Sequence, residues 1–262
     1  MAELLKVNNA SMIFGGLRAV SNLTMQIDEG ELIGLIGPNG AGKTTAFNML
    51  TGVYEPSEGE ITFNGQRING KKPYQVTQMG IARTFQNIRL FSELSVLDNV
   101  KIAFNSQVRY GLVEAIGRFG RYFKEEESIE EKALALLKIF HLEKLRDEDP
   151  RCEVVCHFCH TKYEFDLNEL LAETTSPKLL LLDEPAAGMN PQETKELMEM
   201  IRWIKKEFNL SILLIEHDMG LVMNVCQRIY VLEYGICIAN GTPEEIKHNK
   251  RVIKAYLGEE VS

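Results

Sequence analysis

GPNGAGKT, at residues 37–44, is the stretch of sequence that decides the fold of this chain. It matches the phosphate-loop pattern G-x-x-x-x-G-K-[ST]. An apolar run that predicts a buried strand, residues 32–36, precedes it, and a helix-compatible stretch, residues 45–50, follows it. A strand, a glycine-rich loop and a helix in this order are the context that supports the motif. The sequence therefore predicts a site for a nucleoside triphosphate.

The residue types of this loop explain why it would hold phosphate groups. Its glycines allow the backbone to fold into a nest of N–H donors, and the helix N-terminus behind the loop adds partial positive charge. Lys43 is predicted to reach the β- and γ-phosphates of ATP, and the Thr44 hydroxyl is predicted to hold Mg²⁺. The residues predicted to bind the nucleotide here are Gly37, Pro38, Asn39, Gly40, Ala41, Gly42, Lys43, Thr44 and Thr45.

Length and composition restrict the class of protein. A chain of 262 residues suits one large domain or two unequal lobes, and 45% hydrophobic with 25% charged residues is ordinary for a globular protein. The net charge of −8 gives no electrostatic argument for nucleic-acid binding. With no transmembrane run, no signal-peptide pattern and five cysteines outside a secretory context, the sequence favours the cytosol. Membrane association is expected only through a partner protein.

Apolar runs and helical periodicity alternate along the chain and predict an α/β fold. Helical patterns between the predicted strands indicate a mostly parallel sheet with crossover helices. A helical lobe is predicted at about residues 90–150. One apolar face of that lobe is formed by Ile129, Ala133, Leu136, Leu137 and Phe140. Short strands are predicted within residues 4–36, and further strands are predicted at 60–65, 177–182, 211–215 and 228–232.

A second nucleotide motif lies at residues 179–185, where four leucines are followed by Asp183, Glu184 and Pro185. The buried strand would deliver two carboxylates at its end. Asp183 is predicted to hold the Mg²⁺ shell, and Glu184 is predicted to polarise an attacking water as a general base. An upstream phosphate loop in the same chain favours this interpretation over a core strand that ends in surface acids.

At this point the chain resembles the ATP-binding subunits of ABC transporters, and among them those of branched-chain amino-acid importers. The resemblance covers residues 1–149 and 176–262. It implies an ABC-type core with an antiparallel β subdomain, a single ATP-binding domain of which residues 1–89 and 174–262 form the core, and ATP with Mg²⁺ as ligands. Its motifs are GPNGAGKTT at 37–45, RTFQ at 83–86, LLLLDEPAAGMNP at 179–191, IEHDM at 215–219 and GTPEEI at 241–246.

The resemblance also implies roles for further residues. Gln86 would contact Mg²⁺ or the lytic water, and His217 would contact the γ-phosphate and steady Glu184. Phe14 would stack on the adenine ring, with a core phenylalanine as the alternative. The implied partners are a second ATPase subunit and membrane permeases, which would place the chain in the cytoplasm on the inner face of the membrane. Residues 187–190 would form a loop that links the two nucleotide sites of a dimer.

One element of the family is absent from the sequence. ABC subunits carry a signature loop close to L-S-G-G-Q about two dozen residues before the Asp183 position, but no glycine lies between Gly120 and Gly188. In the family, this loop of one subunit binds the γ-phosphate held by its partner. Residues 147–173 instead carry eight acids and two bases, a net charge of −6 that would repel phosphate. Hydrolysis is therefore expected to be lost or severely impaired.

The segment at residues 151–173 instead resembles part of the zinc-binding tail of the redox-regulated bacterial holdase chaperone. That family uses two cysteine pairs, of which only a C-x-x-C at Cys156 and Cys159 is present here, so no zinc site is assigned. Two alternatives remain open. In one, the chain is a nonhydrolytic nucleotide-binding module with a metal- or redox-responsive insert, which predicts stoichiometric zinc on elemental analysis. In the other, loss of the signature helix destabilises the fold and produces a broad thermal melt.

Overall fold

The structure, a computed structural model, divides into two compact units, one formed by residues 1–86 with 176–262 and the other by residues 87–175. The residues that it describes are 2–84, 91, 94–104, 108, 110–139, 154–155, 162–163 and 177–257. In the first unit, the elements before the second unit are β1 (Glu3–Phe14), β2 (Leu17–Asp28), β3 (Leu32–Ile36), α1 (Lys43–Leu50), β4 (Glu58–Phe63), β5 (Gln66–Arg67), α2 (Pro73–Gln78) and β6 (Ile81–Arg83).

The second unit contains three described helices and two short strands, α3 (Val96–Ala103), α4 (Leu112–Gly117), α5 (Tyr122–Ile139), β7 (Val154–Val155) and β8 (Lys162–Tyr163). The chain then returns to the first unit with β9 (Leu179–Asp183), α6 (Pro191–Glu207), β10 (Ser211–Ile215), α7 (Met219–Val225), β11 (Arg228–Glu233), β12 (Ile236–Gly241), α8 (Pro243–Lys247) and α9 (Lys250–Leu257).

The central sheet of the first unit has the described strand order β12-β11-β3-β10-β9-β6. Every residue of β3, β9 and β10 is buried, as expected for parallel strands covered on both faces. β10 pairs in parallel with β3 and with β9, and its last residue, Ile215, lies opposite Leu35 and Asp183. The carboxyl ends of the three strands therefore meet at one edge of the sheet. The predicted α/β fold with a mostly parallel sheet is confirmed.

A separate antiparallel sheet has the order β2-β1-β4-β5. The sequence predicted short segments within residues 4–36, whereas β1 and β2 are 12 residues each. Their ladder is irregular because Asn9 and Asn22 have positive φ angles of 49°, and register shifts occur on both sides of Ala10. These local irregularities interrupt the alternating pattern that a continuous strand would show. The antiparallel β subdomain implied by the resemblance is present.

The second unit has its own apolar cluster. Ile129, Ala133 and Leu137 of α5 are buried together with residues of α3, so the predicted apolar face exists as far as the structure describes it. Leu136 is only partly buried against this cluster, and Phe140 lies outside the described residues. Ser95 caps α3, since the Asp98 N–H donates to its hydroxyl at 3.1 Å. The helical prediction is therefore confirmed for α3, α4 and α5.

Only four residues of the segment at 151–173 are described. Val154 pairs with Tyr163 and Val155 with Lys162 in an antiparallel ladder. Cys156 and Cys159, the candidate zinc ligands, lie outside the described residues. In the part of the chain that the structure describes, no cluster of three or more His, Cys, Asp or Glu residues has the geometry to hold a metal ion. In the same part, none of the helices is both long and apolar enough to cross a bilayer.

The fully buried centre of the sheet generates a stability prediction. Leu213 of β10 has no exposed surface, whereas Leu17 at the start of β2 is 70% exposed. Leu213→Ala is expected to lower the free energy of unfolding by about 2–5 kcal/mol because it leaves a cavity. Leu17→Ala is the matched control and is expected to change it by about 0.5 kcal/mol or less. Urea unfolding of both variants measures this, and equal losses would contradict the assignment of β10 to the core.

Candidate nucleotide-binding site

The phosphate loop joins the end of β3 to α1. Lys43, the first residue of α1, is 6% exposed. Its Nζ donates hydrogen bonds to the Gly37 carbonyl at 2.7 Å and to the Pro38 carbonyl at 3.1 Å. The first turn of the helix is closed by the Ala46 N–H, which donates to the Gly42 carbonyl at 2.9 Å. The loop therefore curls around the ammonium group of its own lysine.

Two glycines of the loop are required by the packing around it. A Cβ atom on Gly42 would lie 2.5 Å from the Ala19 carbonyl oxygen, and the Gly42 φ angle is +98°. A Cβ atom on Gly37 would lie 2.2 Å from the Leu232 carbonyl oxygen. Only glycine allows this backbone to approach β2 and β11 so closely. The glycines of the phosphate-loop pattern at residues 37 and 42 are therefore required by close backbone packing.

The electrostatics of Lys43 suit an anionic ligand. Burial lowers the pKa of Lys43, while the negative charges of Glu184 and Asp183 act in the opposite direction. Within the described residues, those carboxylates act over a distance, and the ammonium is bonded only to backbone carbonyls. A buried cation beside a helix N-terminus fits a bound phosphate group. The residues present therefore fit the triphosphate that the sequence predicts.

The residues predicted to hold Mg²⁺ carry the oxygen donors that this cation prefers. Asp183 ends β9 and is 7% exposed, whereas Thr44 on α1 is exposed. The Asp183 Oδ2 atom accepts a hydrogen bond from Arg83 Nη2 at 2.8 Å. Gln86, the third predicted ligand, lies outside the described residues. Hydroxyl and carboxylate oxygens fit a hard cation that arrives with a triphosphate.

Glu184 and His217 are brought together by the parallel pairing of β9 and β10. The Glu184 N–H donates to the Ile215 carbonyl at 2.9 Å, which joins the two strand ends. Glu184 adopts a positive φ of 51°, uncommon for a residue other than glycine. Its Oε1 lies 2.5 Å from His217 Nε2, which donates the hydrogen bond when it carries the proton. Two of the three predicted catalytic side chains, Glu184 and His217, are therefore in direct contact, and the third, Gln86, lies outside the described residues.

Glu216 is a residue of this site to which the sequence analysis gave no role. It is 3% exposed, and its Oε1 accepts a hydrogen bond from the Ala186 N–H at 2.6 Å. Its Oε2 accepts from the N–H groups of His217 at 2.9 Å and Asp218 at 3.4 Å. Burial raises the pKa of Glu216, although these three N–H donors act to lower it. Glu216 ties the loop after β9 to the loop that carries His217.

Phe14, the predicted adenine contact, ends β1. Its side chain is 40% exposed rather than enclosed in the core. Its ring meets the Tyr54 ring edge to face, with centroids 5.2 Å apart.

The loop at residues 187–190 follows Glu184 and ends at Asn190, which caps α6 by accepting hydrogen bonds from two backbone N–H groups.

Tyr256 of α9 is a second residue that the sequence analysis did not assign to the site. Burial raises its pKa to about 12, against a smaller opposing effect from the Gly37 backbone N–H. Gly37 also supplies the carbonyl that accepts from Lys43 Nζ. The C-terminal helix therefore packs at the phosphate loop, a contact between residues more than two hundred positions apart.

Comparison with known proteins gives consistent relatives for the whole chain. The family model described as ABC transporter matches residues 20–187, and one described as branched-chain amino acid ATP-binding cassette transporter matches residues 237–262. The high-affinity branched-chain amino acid transport ATP-binding protein LivG of Salmonella typhimurium is 43% identical over 256 residues, covering 98% of each chain. The corresponding BraF protein of Pseudomonas aeruginosa is 38% identical, also covering 98% of each chain.

A solved structure has the same fold. It is the crystal structure of the ADP conformation of MJ1267, an ATP-binding cassette of an ABC transporter. The two chains superpose with a TM-score of 0.79 at 26% sequence identity, covering 99% of this chain and all of the other.

The close packing of Gly42 generates a prediction for the protein without nucleotide. Gly42 and Gly40 both have positive φ angles, +98° and +78°, but a Cβ atom on Gly40 would meet nothing within 4 Å. Gly42→Ala is therefore expected to lower the free energy of unfolding by about 1–3 kcal/mol more than Gly40→Ala. Urea unfolding without ATP compares the two. Equal destabilisation would mean that backbone strain alone, and not contact with Ala19, requires the glycine.

Proposed function

Since this chain belongs to the ABC transporter family, we propose that it is the ATP-binding subunit of an importer of the branched-chain amino-acid type, with hydrolysis lost or severely impaired. The observation that carries ATP binding is the buried Lys43 ammonium, bonded to the Gly37 and Pro38 carbonyls at the N-terminus of α1. A triphosphate would replace these carbonyls with charge-assisted hydrogen bonds. The named relatives support branched-chain amino acids as the kind of solute. The permease and a binding protein would select the solute itself.

The side chains at the strand ends support specific roles in the proposed site. Thr44 and Asp183 would hold the Mg²⁺ that accompanies ATP, together with Gln86. The ion would offset phosphate charge when bound. Glu184 would take a proton from the attacking water as a general base, and its contact with His217 would orient it. Phe14 would stack on the adenine ring with its exposed face.

The proposed defect follows from the composite nature of ABC sites. A signature loop would supply a serine hydroxyl, backbone N–H groups and a helix N-terminus to the γ-phosphate held by the partner subunit. This chain has no glycine from residue 121 to 187 and a net charge of −6 over residues 147–173. It would therefore repel the phosphate that it should bind in its partner. The site built on its own phosphate loop would still work with a partner whose signature is intact.

The proposed assembly has three kinds of component. A second ATP-binding subunit would pair with this chain, and membrane permeases would dock on the pair. The chain would then lie on the inner face of the cell membrane, held there by the permeases. We propose that residues 1–262 act as one ATP-binding domain, with residues 90–150 as its helical lobe. Nucleic acid has no place in this assembly, given the net charge of −8.

Lys43 generates the prediction that tests ATP binding. Lys43→Ala is expected to weaken ATP binding about 10- to 100-fold, the effect of losing a hydrogen bond from a charged group. Lys247→Ala, in which an exposed lysine of α8 is removed, is the matched control and should leave affinity unchanged. Isothermal titration calorimetry at fixed salt measures both. Equal ATP affinity for Lys43→Ala and the unmodified chain would refute the proposed phosphate site.

The same preparation tests the proposed defect. The purified chain is expected to bind ATP and to release no phosphate above the buffer background. A Glu184→Gln variant supplies the reference for an inactive site, because the amide cannot act as a base. Phosphate release by the unmodified chain well above that of Glu184→Gln would show that the replaced segment does not abolish turnover.

A further inference from the structure

Arg83, the last residue of β6, is buried between two elements of the nucleotide site. Its side chain is 8% exposed. Nη2 donates a hydrogen bond to Asp183 Oδ2 at 2.8 Å, and Nη1 donates to Asn48 Oδ1 at 2.7 Å. Asn48 lies on α1, the helix that begins with Lys43. One guanidinium group therefore joins the end of β9 to the helix behind the phosphate loop.

The orientation of this guanidinium group is fixed by its surroundings. Its Cζ lies 5.7 Å from the centroid of the Phe47 ring, and Phe47 is fully buried. A guanidinium group is planar and holds its N–H donors in a rigid fork. Nη1 is bonded to Asn48, and the Cζ of the group lies over the Phe47 ring. These two contacts fix the direction in which Nη2 can bond the Asp183 carboxylate. A lysine at this position would have one ammonium nitrogen in place of the two terminal guanidinium nitrogens.

The contact also selects one oxygen of Asp183. Among the described residues, Oδ2 of Asp183 accepts the hydrogen bond from Arg83, and Oδ1 of Asp183 accepts none. The Asp183 backbone N–H donates to Thr84 Oγ1 at 3.4 Å. A carboxylate held through one oxygen presents the other in a defined orientation. The positive charge of Arg83 also offsets the negative charge where Asp183 and Glu184 lie next to each other.

We propose that Arg83 is a positioning residue that orients Asp183 toward the Mg²⁺ of bound ATP. The inference rests on the proposed function. Through Asn48, Arg83 links the position of the Asp183 carboxylate to α1, the helix that carries Lys43 and Thr44. Through its charge it disfavours a divalent cation that arrives without nucleotide, since Asp183 is already paired. Mg²⁺ is then gained together with the triphosphate, whose oxygens complete its ligands.

A purely structural ion pair would stabilise the fold and leave the Mg²⁺ dependence of nucleotide binding unchanged. The quantity that separates the two roles is the ratio of nucleotide affinity in Mg²⁺ to nucleotide affinity in EDTA. A nonhydrolysable ATP analogue, adenylyl imidodiphosphate, is the probe, and calorimetry on the full chain is the measurement. The ratio is independent of turnover, so the proposed hydrolytic defect does not affect it.

Arg83→Lys keeps the charge but replaces the rigid fork that donates to Asn48 and Asp183 by a single flexible ammonium nitrogen. It is expected to lower the Mg²⁺-to-EDTA affinity ratio by about tenfold, as for other residues that orient a metal ligand, with affinity in EDTA nearly unchanged. The matched control is Arg228→Lys. Arg228 also bonds a carboxylate, Glu31 Oε2 at 2.7 Å, and also lies over an aromatic ring, Tyr230, at 5.5 Å. This variant should keep the ratio of the unmodified chain.

A second variant keeps the proposal testable if Arg83→Lys does not fold. Asn48→Ala leaves the ion pair intact but frees the other arm of the guanidinium group, and a smaller fall in the ratio is expected. An unchanged ratio in a folded Arg83→Lys, or in Asn48→Ala when the first variant does not fold, would overturn the inference. A fall of equal size in Arg228→Lys would also overturn it. Failure of the unmodified chain to bind the analogue in either buffer would instead overturn the proposed function.

Discussion

The parallel pairing of β10 with β3 on one side and β9 on the other is the constraint on which the site depends. This register puts the phosphate loop, the Asp183–Glu184 pair and His217 at the same edge of the sheet, although they lie up to 180 residues apart in sequence. Parallel strands have to be buried on both faces, so the uninterrupted apolar runs that form them also fix where the polar residues that follow must emerge. The polar side chains meet at this edge because the three strands pair in parallel as neighbours.

The sequence predicted the parts of this arrangement that local pattern encodes. The strands predicted at 177–182, 211–215 and 228–232 are present as β9, β10 and β11, with bounds that differ by at most two residues. The glycine pattern of the phosphate loop corresponds to close backbone approaches at Gly37 and Gly42. It did not predict the length of β1 and β2, because asparagines with positive φ interrupt their alternation. Arg83 and Glu216 lie in motifs of the resemblance, but no local pattern predicted their contacts or the position of Tyr256 at the phosphate loop. Each depends on contacts with distant segments that only the fold brings together.

The site has an interior support that a description by motifs leaves out. Arg83 links the end of β9 to α1, and Glu216 links the loop after β9 to the loop after β10. Glu216 accepts hydrogen bonds from three backbone N–H groups, and the two terminal nitrogens of the Arg83 guanidinium donate to Asn48 and Asp183. Glu216 also accepts a hydrogen bond from the His217 N–H, so it helps to hold the residue that contacts Glu184.

The central proposal is that this chain binds ATP at its own phosphate loop and lacks the signature loop that would complete the ATP site of a partner subunit. A chimera in which residues 151–173 are replaced by a signature loop and helix of the family tests it most directly, with ATP affinity and phosphate release measured side by side against the unmodified chain. The account predicts that phosphate release appears while ATP affinity stays the same. Phosphate release that remains absent in a folded, ATP-binding chimera would contradict it.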